Sequence, residues 1–261
     1  LYGAEATVST QAGFGDYPSY HVKLVDVSCT YRTATRLHRV SCEIPYHRIT
    51  AVVGPDEGGI SIFLRVLGGS HFTKSMQIQG SVISDPHVGA GVALATNDPL
   101  VMNESIRDSF SFRLRIAAAA SGRPWNRSRS NEAIERALTR AALWHSVKDR
   151  LASPVSHLSV AQQRQLKIAH ALSTNPDLIL LDTDALCLDP ISLSKVEDLF
   201  WSLKDYCTIV LATHNMQLAA RISDYTAFLM LGHLVEFDTT NVVFTRPANK
   251  MTEDFVTGNF G

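Results

Sequence analysis

Residues 54–61 read Gly-Pro-Asp-Glu-Gly-Gly-Ile-Ser, and their types and spacing carry the most specific chemistry in the chain. The pattern G-x-x-x-x-G-K-[ST] wraps backbone N–H groups around phosphates, sets a lysine on the β- and γ-phosphates and a hydroxyl on Mg²⁺. Gly54, Gly59 and Ser61 are in register with it, and Gly58 and Ile62 complete the stretch. Ile60 occupies the lysine position and brings no charge. Asp56 and Glu57 lie inside the loop, where two carboxylates ~5 Å from a phosphate each repel it by about 3 kcal/mol at an effective dielectric near 20, less if they point outward. A hydroxyl at Ser61 alone is a poor Mg²⁺ site. The residues therefore favour a plain strand-to-helix link over productive phosphate binding.

Such a loop needs a strand before it and a helix after it. Ile49–Val53 is a short apolar, β-rich run of the kind buried in a parallel sheet, and 62–67 has helical character, closed by Gly68-Gly69. Upstream, 21–27 and 40–44 alternate like strands, with 30–38 irregular between them. Residues 76–95 carry more strand, including Val88–Ala95. From 105 the period changes to helical over 105–120 and 131–150, with Ala137, Leu138, Ala141, Ala142 and Val147 on one side. The basic, Gly- and Pro-containing stretch 121–130 between them is read as a loop or insertion. Helices are expected at 162–172, 196–203 and 216–222, and strands at 178–181, 208–212, 227–231 and 234–237. Strands alternating with helices predict an α/β fold with a mostly parallel sheet and an antiparallel part. A helical subdomain over about 100–175 is inserted in it. Residues 1–20 lack a period and read as a flexible or loosely docked arm, leaving 21–261 as one domain.

The chain has 261 residues, 45% of them apolar, enough for one large domain with a substantial core. A net charge of −1 offers no global field for nucleic acid or an acidic membrane surface. Cys29, Cys42, Cys187 and Cys207 show neither C-x-x-C nor zinc-type spacing, which fits a reducing, cytosolic setting. No apolar run reaches the ~18–20 residues of a membrane helix, so any membrane role comes through a partner.

An ordered set of further segments gives the loop its context. His157-Leu-Ser-Val-Ala-Gln-Gln163 is followed by Leu178-Ile-Leu-Leu-Asp182, Leu188-Asp-Pro190 and Thr213-His214. In order and spacing this resembles the signature, Walker B, D-loop and switch histidine of an ATP-binding cassette. Longer runs are similar to the ATP-binding subunit of Pst-type bacterial phosphate importers: Ala137–Trp144, Thr213–Gln217, Ala219–Arg221, Thr226–Phe228, Glu236-Phe237, Thr252–Asp254 and Thr257-Gly258. The resemblance spans about 22–261 and implies ATP and Mg²⁺ as cofactors. Its implied partners are transmembrane permease subunits and a second cassette subunit, as a homo- or heterodimer. It places the chain peripherally on the cytoplasmic face of the membrane.

The resemblance also assigns roles, and several positions depart from them. Asp182 matches the Walker B aspartate that holds Mg²⁺, with Ser61 as the other implied ligand. The next position, a glutamate that polarises water in active cassettes, is Thr183, whose hydroxyl is no base at neutral pH. Losing a positioned base typically costs ~10²–10⁴ in rate. His214 is retained, as a γ-phosphate contact or as an ordinary strand-end histidine. Ser159 keeps the signature serine, but Val160-Ala161 replace its two glycines, and their β-carbons obstruct close backbone approach. Asn97 stands at the glutamine of the Q-loop, one methylene shorter. Tyr31 matches the aromatic that stacks on adenine, or is simply a strand-end tyrosine. Asp189 belongs to the D-loop. The expected function is a catalytically degenerate cassette subunit, a pseudo-ATPase, of a phosphate importer. Two alternatives stay open: an active subunit completed by a partner cassette, and a soluble regulatory protein reusing the fold.

Overall fold

The computed structural model describes residues 20–55, 59–69, 76–85, 91–95, 100–120, 122, 124–182 and 190–259, with the backbone alone at 120 and 190–196. The anticipated arm therefore lies outside the described residues, except that Tyr20 already belongs to the first strand.

Among the described residues nine strands form two sheets. β1 (Tyr20–Tyr31), β2 (Ala34–Pro45) and β4 (Met76–Ser84) make an antiparallel sheet in the order β2-β1-β4. The second sheet takes β3 (Ile49–Val53), β5 (Val92–Ala95), β6 (Leu178–Asp182), β7 (Thr208–Ala212), β8 (Tyr225–Met230) and β9 (His233–Thr239) in the order β5-β6-β7-β3-β8-β9. Its neighbours are parallel except β8 and β9, which form a hairpin.

The parallel strands alternate in which core they feed. Ile49, Ala51, Val53, Ile179, Leu181, Ile209 and Leu211 face one cluster of buried residues; Val52, Leu178, Leu180, Val210 and Ala212 face the other. Burial on both faces explains why these strands read as continuous apolar runs. The second cluster packs the antiparallel sheet and helix α1 (Ile60–Leu67) against the central sheet. The first is built with α2 (Ser111–Ala120), α3 (Arg127–Arg140), α4 (Trp144–Val147), α5 (Val160–Leu172), α6 (Pro190–Lys204) and α7 (Met216–Ile222), about half of it contributed by the chain between β5 and β6. The chain ends in α8 (Thr240–Thr245) and α9 (Lys250–Val256). His21 on β1 is hydrogen-bonded to Thr208 on β7 at 3.0 Å, and the His47 N–H after β2 donates to the same Thr208 hydroxyl at 3.0 Å, so polar ties also join the two sheets.

Four details differ from the sequence expectation. The irregular stretch 30–38 is a tight hairpin: β1 runs to Tyr31, Arg32 takes φ 59, and β2 begins at Ala34. Arg-Thr is not a recognisable turn pair, so the register Tyr31↔Ala34 had no local signal. The stretch 121–130 is not loop throughout, because Asn126 caps α3 by accepting from the N–H groups of Ser128 and Arg129, at 2.8 and 3.3 Å. Helix α6 starts at Pro190, six residues before the expected 196; proline is favoured at a first helical position. The tail carries two short helices, anchored where the Glu236 carboxylate accepts from the N–H groups of Ala248 and Asn249.

Cys29, Cys42 and Cys207 are free and buried, and burial pushes the Cys42 and Cys207 thiols up to about 12, where they are unreactive. Cys187 lies outside the described residues.

Candidate functional site

Three of the anticipated residues come together at the carboxyl ends of three adjacent parallel strands, β6, β7 and β3. Asp182 ends β6 opposite Ala212 of β7, and Ala212 in turn faces Val52 of β3. The chain leaves β3 through Gly54 and leaves β7 through Thr213-His214. Such strand ends are where open α/β sheets hold ligands. The Thr213 N–H donates to the Val52 carbonyl at 3.1 Å, extending the sheet by one bond beyond β7. The Thr213 hydroxyl then accepts from Asn215 N–H, and the Asn215 side chain caps α7 by accepting from Leu218 N–H. These bonds fix the histidine between them.

His214 Nδ1 lies 2.8 Å from the Gly54 carbonyl oxygen. A carbonyl only accepts, so Nδ1–H is the donor and the neutral ring keeps its lone pair on Nε2. To donate to a phosphate oxygen as well, the ring would have to be an imidazolium.

The loop glycines are held by close packing. A Cβ at Gly54 would sit 2.1 Å from the Leu229 carbonyl oxygen, which admits only glycine. Gly59 is the N-cap of α1 with φ 84, and a Cβ there would meet the Arg36 carbonyl oxygen at 2.6 Å. Both glycines are therefore fixed by packing, one at the exit of β3 and one at the start of α1. Ile60, expected at the lysine position, is 7% exposed and belongs to the core cluster beneath the antiparallel sheet. Its Cδ1 comes within 3.6 Å of the point where a Gly54 Cβ would stand. An apolar side chain is packed against the loop where the triphosphate would need a cation. Ser61 is exposed and Ile62 half-buried on the first turn of α1. Asp56, Glu57 and Gly58 lie outside the described residues.

Ser159 is the N-cap of α5 and is already used there. Its hydroxyl accepts from Gln162 N–H at 3.3 Å, and Gln162 Oε1 accepts from Ser159 N–H at 3.1 Å, a complete capping box. The spacing Ser-x-x-Gln announces this box in the sequence. Val160 follows with 63% of its surface exposed, so a branched side chain stands out at the first turn of the helix. Tyr31 ends β1 half-buried, with the Arg32 guanidinium 5.4 Å from its ring centroid. That cation covers a ring expected to offer an open stacking face. Asn97, Thr183 and Asp189 lie outside the described residues. The geometry thus brings Gly54, Asp182 and His214 to the carboxyl ends of β3, β6 and β7, with Gly59 and Ile60 opening α1, while Ser159 and Val160 start a separate helix. Two features had no counterpart in the sequence reading: the seat that Arg36 and Gly232 make for Gly59, and the Arg32 cover on Tyr31.

The described residues fit magnesium triphosphate poorly. Gly54, Asp182 and His214 lie at neighbouring strand ends, but Ile60 brings no cation and the Ser159 hydroxyl is used to cap α5.

Known proteins give this arrangement its context. The ABC transporter family pattern matches residues 37–184. A Yersinia pestis protein named Phosphate import ATP-binding protein PstB 1 is 39% identical over 237 residues, 86% of this chain and 86% of the relative. A protein of the same name from Gloeobacter violaceus is 36% identical over 250 residues, covering 90% and 92%. Among solved structures, cbiO1 of Clostridium perfringens, part of the ABC transporter complex cbiONQ, superposes with a TM-score of 0.68 at 19% identity, covering 88% of this chain and 92% of that one. With matches over more than half of the chain by the family pattern and over most of it by these relatives, the chain belongs to the ABC transporter family.

Proposed function

We propose that this chain is the cassette subunit of an inorganic phosphate importer, that it turns over ATP slowly if at all, and that its role is structural or regulatory. The phosphate assignment rests on the names of its relatives, which match over most of both chains. The impaired chemistry rests on one observation above all, the buried Ile60 at the lysine position. In the family's head-to-tail dimers each ATP lies between one subunit's phosphate loop and the other's signature. Ile60 and Thr183 weaken the site this chain hosts. Val160 and Ala161 weaken the site it completes, because a branched residue at the first turn of α5 keeps backbone N–H groups from a γ-phosphate. Pairing with an intact cassette leaves both sites impaired, and self-pairing leaves both doubly so.

The partners are transmembrane permease subunits and a second cassette. No helix among the described residues is long and apolar enough to cross a membrane, so attachment to the cytoplasmic face would run through the permease. The helical stretch over about 100–175 is the part that would face it.

Thermal denaturation of the purified chain with millimolar Mg²⁺ and ATP tests this, alone and with an active cassette partner, beside steady-state hydrolysis. The expected result is no nucleotide-dependent shift for the chain alone, and no gain when Ile60→Lys is introduced by itself, since three other defects persist. That variant is also expected to lose about 1–2 kcal/mol of stability as a core side chain is replaced by a charged one. Turnover near that of an active cassette, abolished by Asp182→Asn or His214→Ala, sinks the proposal and establishes the second reading, a working ATPase. What favours that reading is the placement of His214 against Gly54.

A further inference from the structure

The seat of the phosphate loop lies on a seam between the two sheets. The Arg36 carbonyl on β2 is wedged between two glycines: an added Cβ would meet it at 2.6 Å from Gly59 and at 2.3 Å from Gly232, in the β8–β9 turn. The same Gly59 Cβ would lie 3.5 Å from Gly232 Cα. The His38 N–H donates to the Gly232 carbonyl at 2.9 Å, fastening β2 to that turn. Beside this bond the rings of His38 on β2 and His233 on β9 stack with centroids 4.6 Å apart and planes 12° from parallel. Any parting of β2 from β9 withdraws the support under Gly59 and the start of α1.

We propose that the stacked imidazoles of His38 and His233 form a pH-sensitive clamp on this seam, which grips the seat of Gly59 when the rings are neutral and loosens it when both are protonated. Neutral rings stack favourably, and two imidazoliums at this distance repel. A shared metal ion is not an alternative, because each nitrogen lone pair lies in its own ring plane and two stacked planes do not converge on one ion.

The surrounding charges do not cancel the repulsion. On β2, Arg36 adds a further cation, and Arg39 is paired with Asp26 at 2.7 Å. On β9, the Glu236 carboxylate is taken by Ala248 and Asn249 N–H groups, and Asp238 accepts from Thr239 N–H. β8 carries no charged residue. The first turn of α1 carries none either. Burial, and then the charge of His38, lower the pKa of His233 from its ordinary value. The sign follows: a histidine depressed in the folded state contributes its full stability above its unfolded pKa and loses it as pH falls through the folded value. The clamp is closed at pH 7.5 and opens as pH falls through the lowered value of His233.

Amide hydrogen exchange of the full chain, corrected for intrinsic rates, reads this out at residues 59–64. Between pH 7.5 and pH 5.0 protection is expected to fall about fivefold, the effect of one like charge at 4.6 Å at the dielectric of water. His233→Gln should remove that fall, and His233→Glu should reverse it, because protonated His38 then gains an ion pair across the seam. His214 beside Gly54 is common to all three proteins, so its contribution cancels in the comparison. Equal pH dependence in the native chain and His233→Gln, no fall in the native chain, or no reversal with His233→Glu each overturns the clamp.

Discussion

His214 donates from Nδ1 to the carbonyl oxygen of Gly54 across 2.8 Å, so the residue after β7 is tied to the first glycine after β3 without any ligand between them. The bond spends the ring's proton on the backbone. It makes His214 a structural tie of the loop in addition to whatever it contributes to phosphate. His214→Ala is expected to lower unfolding stability by about 1 kcal/mol, the net value of one hydrogen bond, with an unchanged denaturant slope. His214→Asn, which keeps a donor, should recover part of it. A urea titration of the three proteins distinguishes a tie from a free side chain.

His170 provides a second pH-dependent element, far from the seam. It lies on α5, buried, with Nε2 2.8 Å from the Ser109 hydroxyl. Ser109 gives its only proton to the Ile106 carbonyl at 2.7 Å, so His170 Nε2–H must be the donor. The ring packs edge-on to Phe110 at 4.4 Å. Burial, with a smaller push from the Arg113 charge, lowers its pKa from 6.5 to about 3. The folded value is below the unfolded one, so the contribution is complete above pH 6.5 and is lost as pH falls towards 3. Unfolding stability should fall by about 1.4 kcal/mol per pH unit between pH 6 and pH 4. His170→Gln should flatten this slope even though it lowers stability at pH 7. Urea midpoints measured across that range check it.

Thr50 predicts a gain. It sits on β3 with its side chain fully buried, and its Oγ1 has no hydrogen-bond partner. Replacing the hydroxyl by a methyl removes a desolvated polar group while keeping the branched shape. Thr50→Val is expected to raise stability by about 1 kcal/mol, read as an upward shift of the thermal midpoint. A fall instead would mean that the hydroxyl is satisfied in solution.

Much of the core was legible because it obeys simple periods. Ile49–Val53, Leu178–Asp182 and Thr208–Ala212 read as buried strands, and they are the three adjacent strands whose ends carry the site. The missing charge at Ile60 and the added β-carbons at Val160-Ala161 were visible as residue types in a fixed register. What failed locally failed for local reasons. The Arg32-Thr33 hairpin uses a left-handed arginine in place of an Asn-Gly pair, and Asn126 opens a helix inside a stretch whose Gly, Pro and Ser residues suggested loop.

The sequence by itself determined which groups the site could contain: a glycine pair, an aspartate, a histidine, and no lysine or catalytic glutamate at their usual positions. Residue identity is one-dimensional information, and absence of a charge needs no fold to be known. Only the tertiary structure decided what those groups do to one another. Ile60 could have pointed to solvent, but the core beneath the antiparallel sheet takes it in and sets it against Gly54. Ser159 and Gln162 close on each other, and His214 closes on Gly54. His38 and His233, 195 positions apart, meet face to face because β2 and β9 meet at the seam that seats the loop. These are contacts between distant segments, fixed by how two sheets pack, and no local pattern of residues encodes them.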